Sequence, residues 1–297
     1  ADGPALTYLL GLDGQGILGE GERTVWPAAR EVMAAMGLDR EGYDGLLDRA
    51  RARWTKSVPG ITAVRNELAT LLERSGGVLP ADDLAEALLA RRGSTAPAAE
   101  RLARARAVVR AALETEQVRA NHRFIWRRLG GGTTAVVALR NEELVAEELA
   151  DYAASLGLIA DRLVDADPLP TPAAVLERLR EVPVPVGLPA LADARLVRLA
   201  AASSTRAAAS SRLELYPRGM APDRALRLAR SALLGTGTLT EDEVRERVRS
   251  RFPLAAGLPP RPQLDLLLEQ VLGLEWHEER ADGPGAPGVA GYRVPPV

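Results

Sequence analysis

The sequence predicts a mainly α-helical protein of tandem helix-turn-helix or winged-helix modules with short β-hairpin wings. Apolar residues make up 46% of the chain but aromatic residues only 4%, so the cores must consist largely of Leu, Val and Ala. Leu and Ala are among the best helix formers, and apolar residues recur at helical spacing along most of the chain. The 297 residues are enough for two or three small domains, each with its own core.

Residues 26–56 predict a helix-turn-helix, which forms the first module (residues 1–57). A first helix is expected over about residues 27–36, Gly37 lies in the turn, and Asp39 is a suitable N-cap for the second helix. This pair of helices either presents a helix to a DNA groove or builds a small bundle. The second helix has one apolar face, formed by residues at i, i+3, i+4, i+7 and i+11: Tyr43, Leu46, Leu47, Ala50 and Trp54.

The second module, residues 58–140, has the element order of a winged helix. A helix over Ile61–Arg74 is followed by a turn with a short strand at residues 76–79, and then by a second helix that ends at Gly93. A third helix is expected over about residues 98–115. Two β-prone runs on either side of a Gly-rich turn then indicate a hairpin.

Residues 141–220 are expected to form a helical connector with proline breaks. Thr171 is a suitable N-cap for one of its helices, because Pro172 follows at the first helical position. A further helix is expected over about residues 190–202, and a short strand follows near residues 212–217. The prolines between these segments interrupt the helical pattern, so we expect several short helices rather than one long helix.

The last module, residues 221–297, repeats the second module and is also predicted to be a winged helix. Thr240 and Glu243 are expected to form a capping box, and a helix near residues 262–271 precedes two strands. Residues of the second module that recur 160 positions later form these pairs: Gly77/Gly237, Leu79/Leu239, Asp82/Asp242, Leu84/Val244, Glu86/Glu246, Leu88/Val248 and Arg91/Arg251.

The residue types of the chain exclude most catalytic and metal chemistry. There is no cysteine, so disulfides and thiolate metal sites are excluded. The two histidines, His122 and His277, lie far apart, and neither has a partner at ligand spacing. No catalytic set of a nucleophile and a general base can be assembled from these residues, and the carboxylates lie on predicted helix faces. We therefore expect no enzyme activity, no cofactor and no bound metal in this chain.

Charge and hydropathy limit the possible partners. No apolar run approaches the length that spans a membrane and no signal peptide opens the chain, so we expect a cytoplasmic protein without membrane contact. The net charge of −2 gives no bulk attraction for nucleic acid, so any such contact must come from local patches. The chain begins at Ala1 rather than Met, which we interpret as a sign of a longer protein.

The second helix of the first module carries one group of candidate phosphate contacts. Glu41 and Asp48 lie opposite its apolar face, and their carboxylates repel phosphates, whereas a recognition helix usually offers Arg, Asn, Gln or Ser to base edges. Cations beside this face can still hold phosphate oxygens, which position a protein without specifying a base sequence. The candidate phosphate contacts are Arg40, Arg49, Arg51, Arg53 and Lys56.

A second basic cluster lies in the hairpin of the second module: Arg123, Arg127 and Arg128, next to Phe124 and Trp126. One interpretation is a wing that lies along a phosphate backbone. The alternative is an amphipathic hairpin whose aromatic side chains belong to the core. The arginines of the preceding helix are expected to extend over the edge of the core: Arg101, Arg104, Arg106 and Arg110.

Two resemblances follow from these segments. The first module resembles the DNA-binding helix-turn-helix of sigma-factor region 4, through GLDGQGILGEGERTVWPAAREVMAAMGLDREGYDGLLDRARARW. Most of positions 5–280 resemble the C-terminal, non-kinase part of the PglW-like serine/threonine kinases of the phage growth limitation (type 2 BREX) system of actinobacteria. The stretches that carry this resemblance are VLPADDLAEALLARRGS, LVRLAAASSTRAAASSRLELYPRGMAPDRALRLA and LTEDEVRERVRSRFP.

The resemblance to the kinase family implies a bacterial antiphage protein with a kinase domain elsewhere in the full chain. This chain itself contains no Gly-rich phosphate loop and no HRD or DFG motif, and Lys56 does not lie in a V-A-I-K strand. The implied partners are other phage-defence proteins or the kinase domain of the same chain.

Two functions are therefore open. The leading hypothesis is a nucleic-acid-binding or sensing region of an antiphage defence protein that contacts DNA mainly through the phosphate backbone. The alternative is a protein-interaction scaffold that does not bind DNA and positions a kinase or another partner. The hairpin arginines favour the first hypothesis. Exposed acidic faces, such as that expected around Glu269 on the helix of the last module, favour the second.

Overall fold

The computed structural model describes residues 2–12, 17–18, 22–23, 26–129, 134–142, 145–234, 237–278 and 290–294. Twelve α-helices lie in this described part, which is 57% helical, and its β-sheets are antiparallel with two or three strands. The predicted fold class, mainly α with short β-hairpins, is confirmed. The division of the chain at residues 57, 140 and 220 stays a prediction.

The helices and strands follow one another with short connections. In chain order they are α1 (Gly3–Leu9), β1 (Ile17–Leu18), β2 (Glu22–Arg23), α2 (Ala29–Met36), α3 (Arg40–Ser57), α4 (Ile61–Arg74), β3 (Val78–Pro80), α5 (Ala81–Arg92), α6 (Arg101–Glu116), β4 (Phe124–Leu129), β5 (Thr134–Leu139), α7 (Ala146–Leu163), α8 (Pro172–Arg180), α9 (Asp193–Ser203), β6 (Ala207–Ala209), β7 (Leu215–Pro217), α10 (Pro222–Leu233), α11 (Glu241–Arg251), α12 (Gln263–Leu272), β8 (Glu275–Glu278) and β9 (Ala290–Arg293).

Helices α2 and α3 form the predicted helix-turn-helix. Helix α2 ends at Gly37, which has a φ of 63°, a conformation that glycine adopts without strain. The Asp39 side chain accepts a hydrogen bond of 2.7 Å from the Gly42 amide and so caps α3 as predicted. The apolar side of this pair packs with α1 in a small core: Leu9, Val32, Tyr43 and Leu47.

The second module surrounds a three-stranded sheet of order β3-β5-β4. Leu79 of β3 pairs with Val137 of β5, which pairs with Trp126 of β4. One face of this sheet packs on α4, α5 and α6, with Phe124 and Val137 fully buried between them. The Gly-rich turn of the predicted hairpin lies outside the described residues.

The opposite face of the same sheet is covered by the segment that the sequence predicts as a connector. Val136 and Ala138 of β5 belong to a core that α7, α8 and α9 complete. Helix α7 packs closely on α9, where Gly157 lies against the backbone of Ser203. The hairpin β4–β5 therefore has protein on both faces and does not project from the molecule as an isolated wing.

The last module reproduces the element order of the second: helix, strand, helix, helix, strand, strand. Its first strand is reduced to a bridge from Leu239 to Tyr292 of β9, and Tyr292 in turn pairs with Trp276 of β8. The position of Trp276 in this sheet therefore corresponds to that of Trp126. The predicted capping box is present, because Thr240 accepts a hydrogen bond from the Glu243 amide.

We predict that Gly157→Ala destabilises the protein by about 2 kcal/mol or more, because a Cβ at this position would lie 2.3 Å from the Ser203 carbonyl oxygen and would force α7 and α9 apart. The free energy of unfolding in urea measures this loss. Gly45→Ala in α3 is the matched control, because its Cβ would approach only the flexible end of Arg49. The control should gain about 0.5–1 kcal/mol from helix propensity. Equal effects of both changes would contradict the close packing of α7 on α9.

A second prediction concerns Asp83, where burial raises the carboxyl pKa from 3.8 to about 6 against the opposing charge of Arg198. The folded state then binds a proton more tightly than the unfolded state, so stability falls as the pH rises from 4 to 6 and stays lower above that range. Asp83→Asn should raise the free energy of unfolding at pH 7.5 by about 1 kcal/mol and flatten its pH dependence. Asp82→Asn is the control and should not stabilise, because it breaks the Asp82–Arg106 ion pair of 2.6 Å.

Candidate nucleic-acid interface

Arg40 and Arg49 lie on the solvent side of α3 in exposed ion pairs. Arg40 Nε is 2.9 Å from a carboxylate oxygen of Asp44, and Arg49 Nε is 2.9 Å from one of Asp2. Exposed pairs of this kind contribute at most about 1 kcal/mol. A phosphate can therefore replace these carboxylates at small cost, and both arginines remain accessible for the predicted contact.

Arg53 and Lys56 are exposed near the end of α3. Neither side chain has a hydrogen bond or an ion pair with another residue of the described part. On the same helix the carboxylates of Glu41 and Asp48 are also exposed, which lowers the net positive charge of this surface. The arrangement permits weak phosphate contact and offers little to the edges of bases.

Arg51 points away from solvent, toward α6. Its Nη2 is 2.7 Å from Oε2 of Glu114, a carboxylate that is only 4% exposed. The other oxygen of Glu114 is 2.8 Å from Nη2 of Arg110, which is equally buried. A phosphate contact by Arg51 would require this buried pair to open, which makes Arg51 the least accessible of the predicted α3 cations.

Arg110 occupies the centre of the contact between the first two modules. Its guanidinium lies 3.9 Å from the ring centroid of Trp126 and 5.4 Å from that of Trp26, and the two indoles meet edge to face. Burial lowers the pKa of Arg110, and the Glu114 carboxylate opposes this shift. The expectation that Arg110 extends over the edge of the core is wrong, since this side chain is 2% exposed.

The contact covers part of the outer face of α6. In the helix pair α5–α6, α6 is the second helix, which helix-turn-helix DNA binders place in the major groove. Here α3 packs on that helix instead, and the α6 residues turned toward it are buried. The buried α6 residues with a contact to the first module are Arg110, which lies over Trp26, and Glu114, which pairs with Arg51.

The hairpin arginines are engaged with carboxylates of neighbouring elements. Phe124 is fully buried and Trp126 is partly buried on the α4–α6 side of the sheet, as the amphipathic-hairpin interpretation requires. Glu31 and Asp151 belong to α2 and α7, so two of the three pairs connect different modules. The pairs are Arg123–Glu116 at 2.8 Å, Arg127–Asp151 at 2.5 Å and Arg128–Glu31 at 2.9 Å.

A groove of about 400 Å³ with almost entirely apolar walls lies beside the α3–α6 contact. It runs between the end of α3, the beginning of α4 and the middle of α6. Leu12, Val58 and Val108 on its walls are each about 40% exposed. The other apolar side chains that line it are Leu10, Trp54, Ile61, Val64, Ala107 and Ala111.

Sequence reasoning missed Trp26 and Arg110, which position the modules. Arg110 follows the buried Val109 in the same helix. The sequence gives no sign of whether such an arginine lies beneath another module or at an edge that is exposed to solvent.

Among the described residues, no group of three or more His, Asp or Glu side chains could hold a metal ion. No helix in the described part has the length and apolarity needed to cross a membrane.

These observations define a mainly helical chain in which α3 of the first module packs on α6, the last helix of a helix-strand-helix-helix-hairpin module. In sequence, the chain is similar to a protein described as "Probable kinase PglW" from Streptomyces coelicolor, with 39% identity over 251 residues. The aligned region covers 77% of this chain and 16% of that protein, so the chain is homologous to a part of PglW. No protein-family model and no solved structure matches the chain.

We predict that Arg110→Ala costs about 3 kcal/mol of unfolding free energy, because it removes a partner of the buried Glu114 and the cation that lies over the rings of Trp26 and Trp126. Urea denaturation followed by tryptophan fluorescence measures this loss. Arg104→Ala on the same helix is the control, because its pair with Glu100 is exposed, and it should cost less than about 0.5 kcal/mol. A loss below about 1 kcal/mol for Arg110→Ala would show that the buried pair does not hold α3 on α6.

Proposed function

We propose that this chain is a protein-interaction scaffold from the non-kinase part of a cytoplasmic, PglW-like phage-defence protein, where it positions the kinase domain or another partner. The observation that carries the proposal is the position of α3. It packs on the helix that a DNA-binding module would place in the major groove, where Arg51 of α3 pairs with Glu114, and Glu114 and its second partner Arg110 are both buried.

The topology supports a descent from DNA-binding modules. We infer that the second and last modules are winged helices, since both have the order helix, strand, helix, helix, strand, strand and a central last strand. In the second module both the outer helix and the hairpin serve internal packing. The surfaces that bind DNA in such modules are thus used here to hold parts of one chain together.

The charge distribution supports the same function. A protein that binds DNA through its backbone neutralises several phosphates with Lys and Arg. Here the net charge is −2, and each hairpin arginine already has a carboxylate partner. An apolar groove beside α3 offers a surface of the type found in protein contacts.

A second candidate function is weak phosphate contact by the exposed side of α3. The observation that favours it is the accessibility of Arg40, Arg49, Arg53 and Lys56, of which the last two have no ion pair in the described part. Four cations would give a salt-dependent, sequence-independent affinity. We propose no catalytic role for this chain, because it carries no kinase motif of its own.

The DNA hypothesis and the scaffold hypothesis predict different affinities for a labelled random DNA duplex. A fluorescence-anisotropy titration at low and at physiological salt measures this affinity. We expect a dissociation constant weaker than about 10 μM at physiological salt, because only a few phosphates can be neutralised. Arg53→Glu with Lys56→Glu should abolish the low-salt binding. Submicromolar binding at physiological salt would overturn the scaffold proposal in favour of DNA binding.

Two further experiments complete this test. Changing Arg123, Arg127 and Arg128 to Glu should lower the thermal unfolding midpoint, because three ion pairs become repulsive, and should weaken the low-salt affinity for DNA less than Arg53→Glu with Lys56→Glu does. The chain should also form a complex with the kinase segment of its own full-length protein in gel filtration at 0.5 M salt. The double variant Val58→Asp with Val108→Asp tests whether the groove takes part in this complex. Val186→Asp is the control, because Val186 lies outside the groove and is 87% exposed. Absence of any complex would contradict the scaffold proposal.

A further inference from the structure

One buried carboxylate at the end of α6 is shared by several arginines. Glu116 is fully buried, and its Oε1 is 2.8 Å from Nε of Arg123. Its other oxygen is 3.2 Å from Nη2 of Arg123 and 3.6 Å from Nε of Arg65. Hydrogen bonds and charge from Arg123, together with the charge of Arg65, lower the pKa of Glu116 although burial alone would raise it. The carboxylate is therefore ionised and contributes one negative charge.

Arg65 is the buried member of this cluster, with 3% of its surface exposed. Its Nη1 donates to the Thr115 carbonyl at 3.3 Å and its Nη2 to the Thr62 hydroxyl at 3.1 Å. Its Nε has no hydrogen-bond partner and lies at ion-pair distance from Glu116. Arg65 is thus a buried cation. Glu116 balances its charge only in part, because Glu116 is also bound by Arg123.

A third arginine lies at the surface of the same cluster. The Arg119 amide donates to the Glu116 carbonyl at 3.0 Å, and its side chain is exposed with no hydrogen bond or ion pair to another described residue. Burial lowers the pKa of Arg65, the charges of Arg119 and Arg123 lower it further, and Glu116 opposes them. Arg65, Arg119 and Arg123 carry three positive charges and Glu116 carries one negative charge, so these four residues together have an excess of two positive charges.

We propose that Arg65, Arg119 and Arg123 form a binding site for a dianionic phosphomonoester, presented as a phosphorylated serine or threonine side chain of a protein partner. A phosphorylated side chain carries between about −1.5 and −2 charges at neutral pH, which matches the charge excess of the cluster. Arg119 and the outer edge of Arg123 contact the phosphate oxygens, as Arg clusters do in phosphoprotein recognition. Arg65 contributes its charge from beneath.

Asn66 adds a neutral donor at the rim of this site. Its side-chain oxygen accepts a hydrogen bond from Nη1 of Arg123 at 3.2 Å, which directs the amide NH₂ away from the guanidinium. The NH₂ group supplies one further donor for a phosphate oxygen.

The form of the cluster favours a phosphomonoester over a nucleic-acid backbone. A backbone phosphodiester carries one charge, and its binding depends on several cations spaced along the strand. Arg127 and Arg128, the next cations of the hairpin, are held by Asp151 and Glu31. A compact site with two excess charges fits a single dianion better than a strand. Only the choice of a protein as the source of the phosphate rests on the proposed scaffold function.

The test is a ³¹P NMR titration of N-acetyl-O-phosphoserine amide with the intact chain at pH 7.5. We expect a saturable shift with the wild-type chain and an affinity at least tenfold lower for Arg119→Ala. Arg230→Ala is the matched control, because the Arg230 side chain is also exposed, has no ion pair in the described part and belongs to none of the predicted phosphate contacts. Both variants should keep the wild-type unfolding midpoint. Equal affinities of the wild type and Arg119→Ala would overturn the proposal.

A second arm of the experiment identifies the kind of phosphate. Dimethyl phosphate, a phosphodiester with one charge, should bind at least tenfold more weakly than the phosphoserine amide and should show no dependence on Arg119. Equal binding of the diester, or loss of duplex binding in Arg119→Ala but not in Arg230→Ala, would overturn the phosphomonoester site in favour of nucleic acid. The titration needs no partner protein. Its result is therefore independent of whether the chain binds the kinase segment.

Discussion

The buried ion pair of Arg110 with Glu114 lies within α6 and determines how the first two modules meet, because Arg110 packs on Trp26 and Glu114 pairs with Arg51 of α3. Removing a guanidinium and a carboxylate from water costs several kcal/mol for each ion, and their mutual attraction offsets this cost only with good geometry and further partners. The indole faces supply such partners for Arg110, and Arg51 supplies one for Glu114. Because each group depends on the others, α3 has one stable position on α6.

The second constraint is the sheet β3-β5-β4, which serves two cores at once. Its residues alternate between the face under α4–α6 and the face under α7–α9. A register shift of one residue would exchange Val136 and Val137 between these cores, so both cores fix the same register. The hairpin is therefore a central element of the fold, which explains why its arginines lie within reach of carboxylates on α6, α7 and α2.

Local signals in the sequence were sufficient to place many of the helices. Asp39 and Thr171 cap helices as expected, and α4 has the predicted bounds, because capping and helical period depend on residues within a few positions. The sequence did not reveal the burial of Arg110, since Trp26 is distant along the chain. It also did not indicate β6, whose three alanines have low β-propensity and pair only because β7 is adjacent.

The two repeated modules use the same structural position in different ways. Trp126 is covered by Trp26 from another module. Trp276 at the matching position has the Arg261 guanidinium 3.6 Å from its ring centroid and meets the Tyr292 ring edge to face within its own module. Helix α12, the counterpart of α6, leaves Leu266 58% exposed, with Glu269 and Gln270 exposed beside it. A carboxylate in this position repels phosphate. The two helices at this topological position therefore differ in their surroundings, because α6 is partly covered by α3 whereas α12 has exposed acidic and apolar side chains.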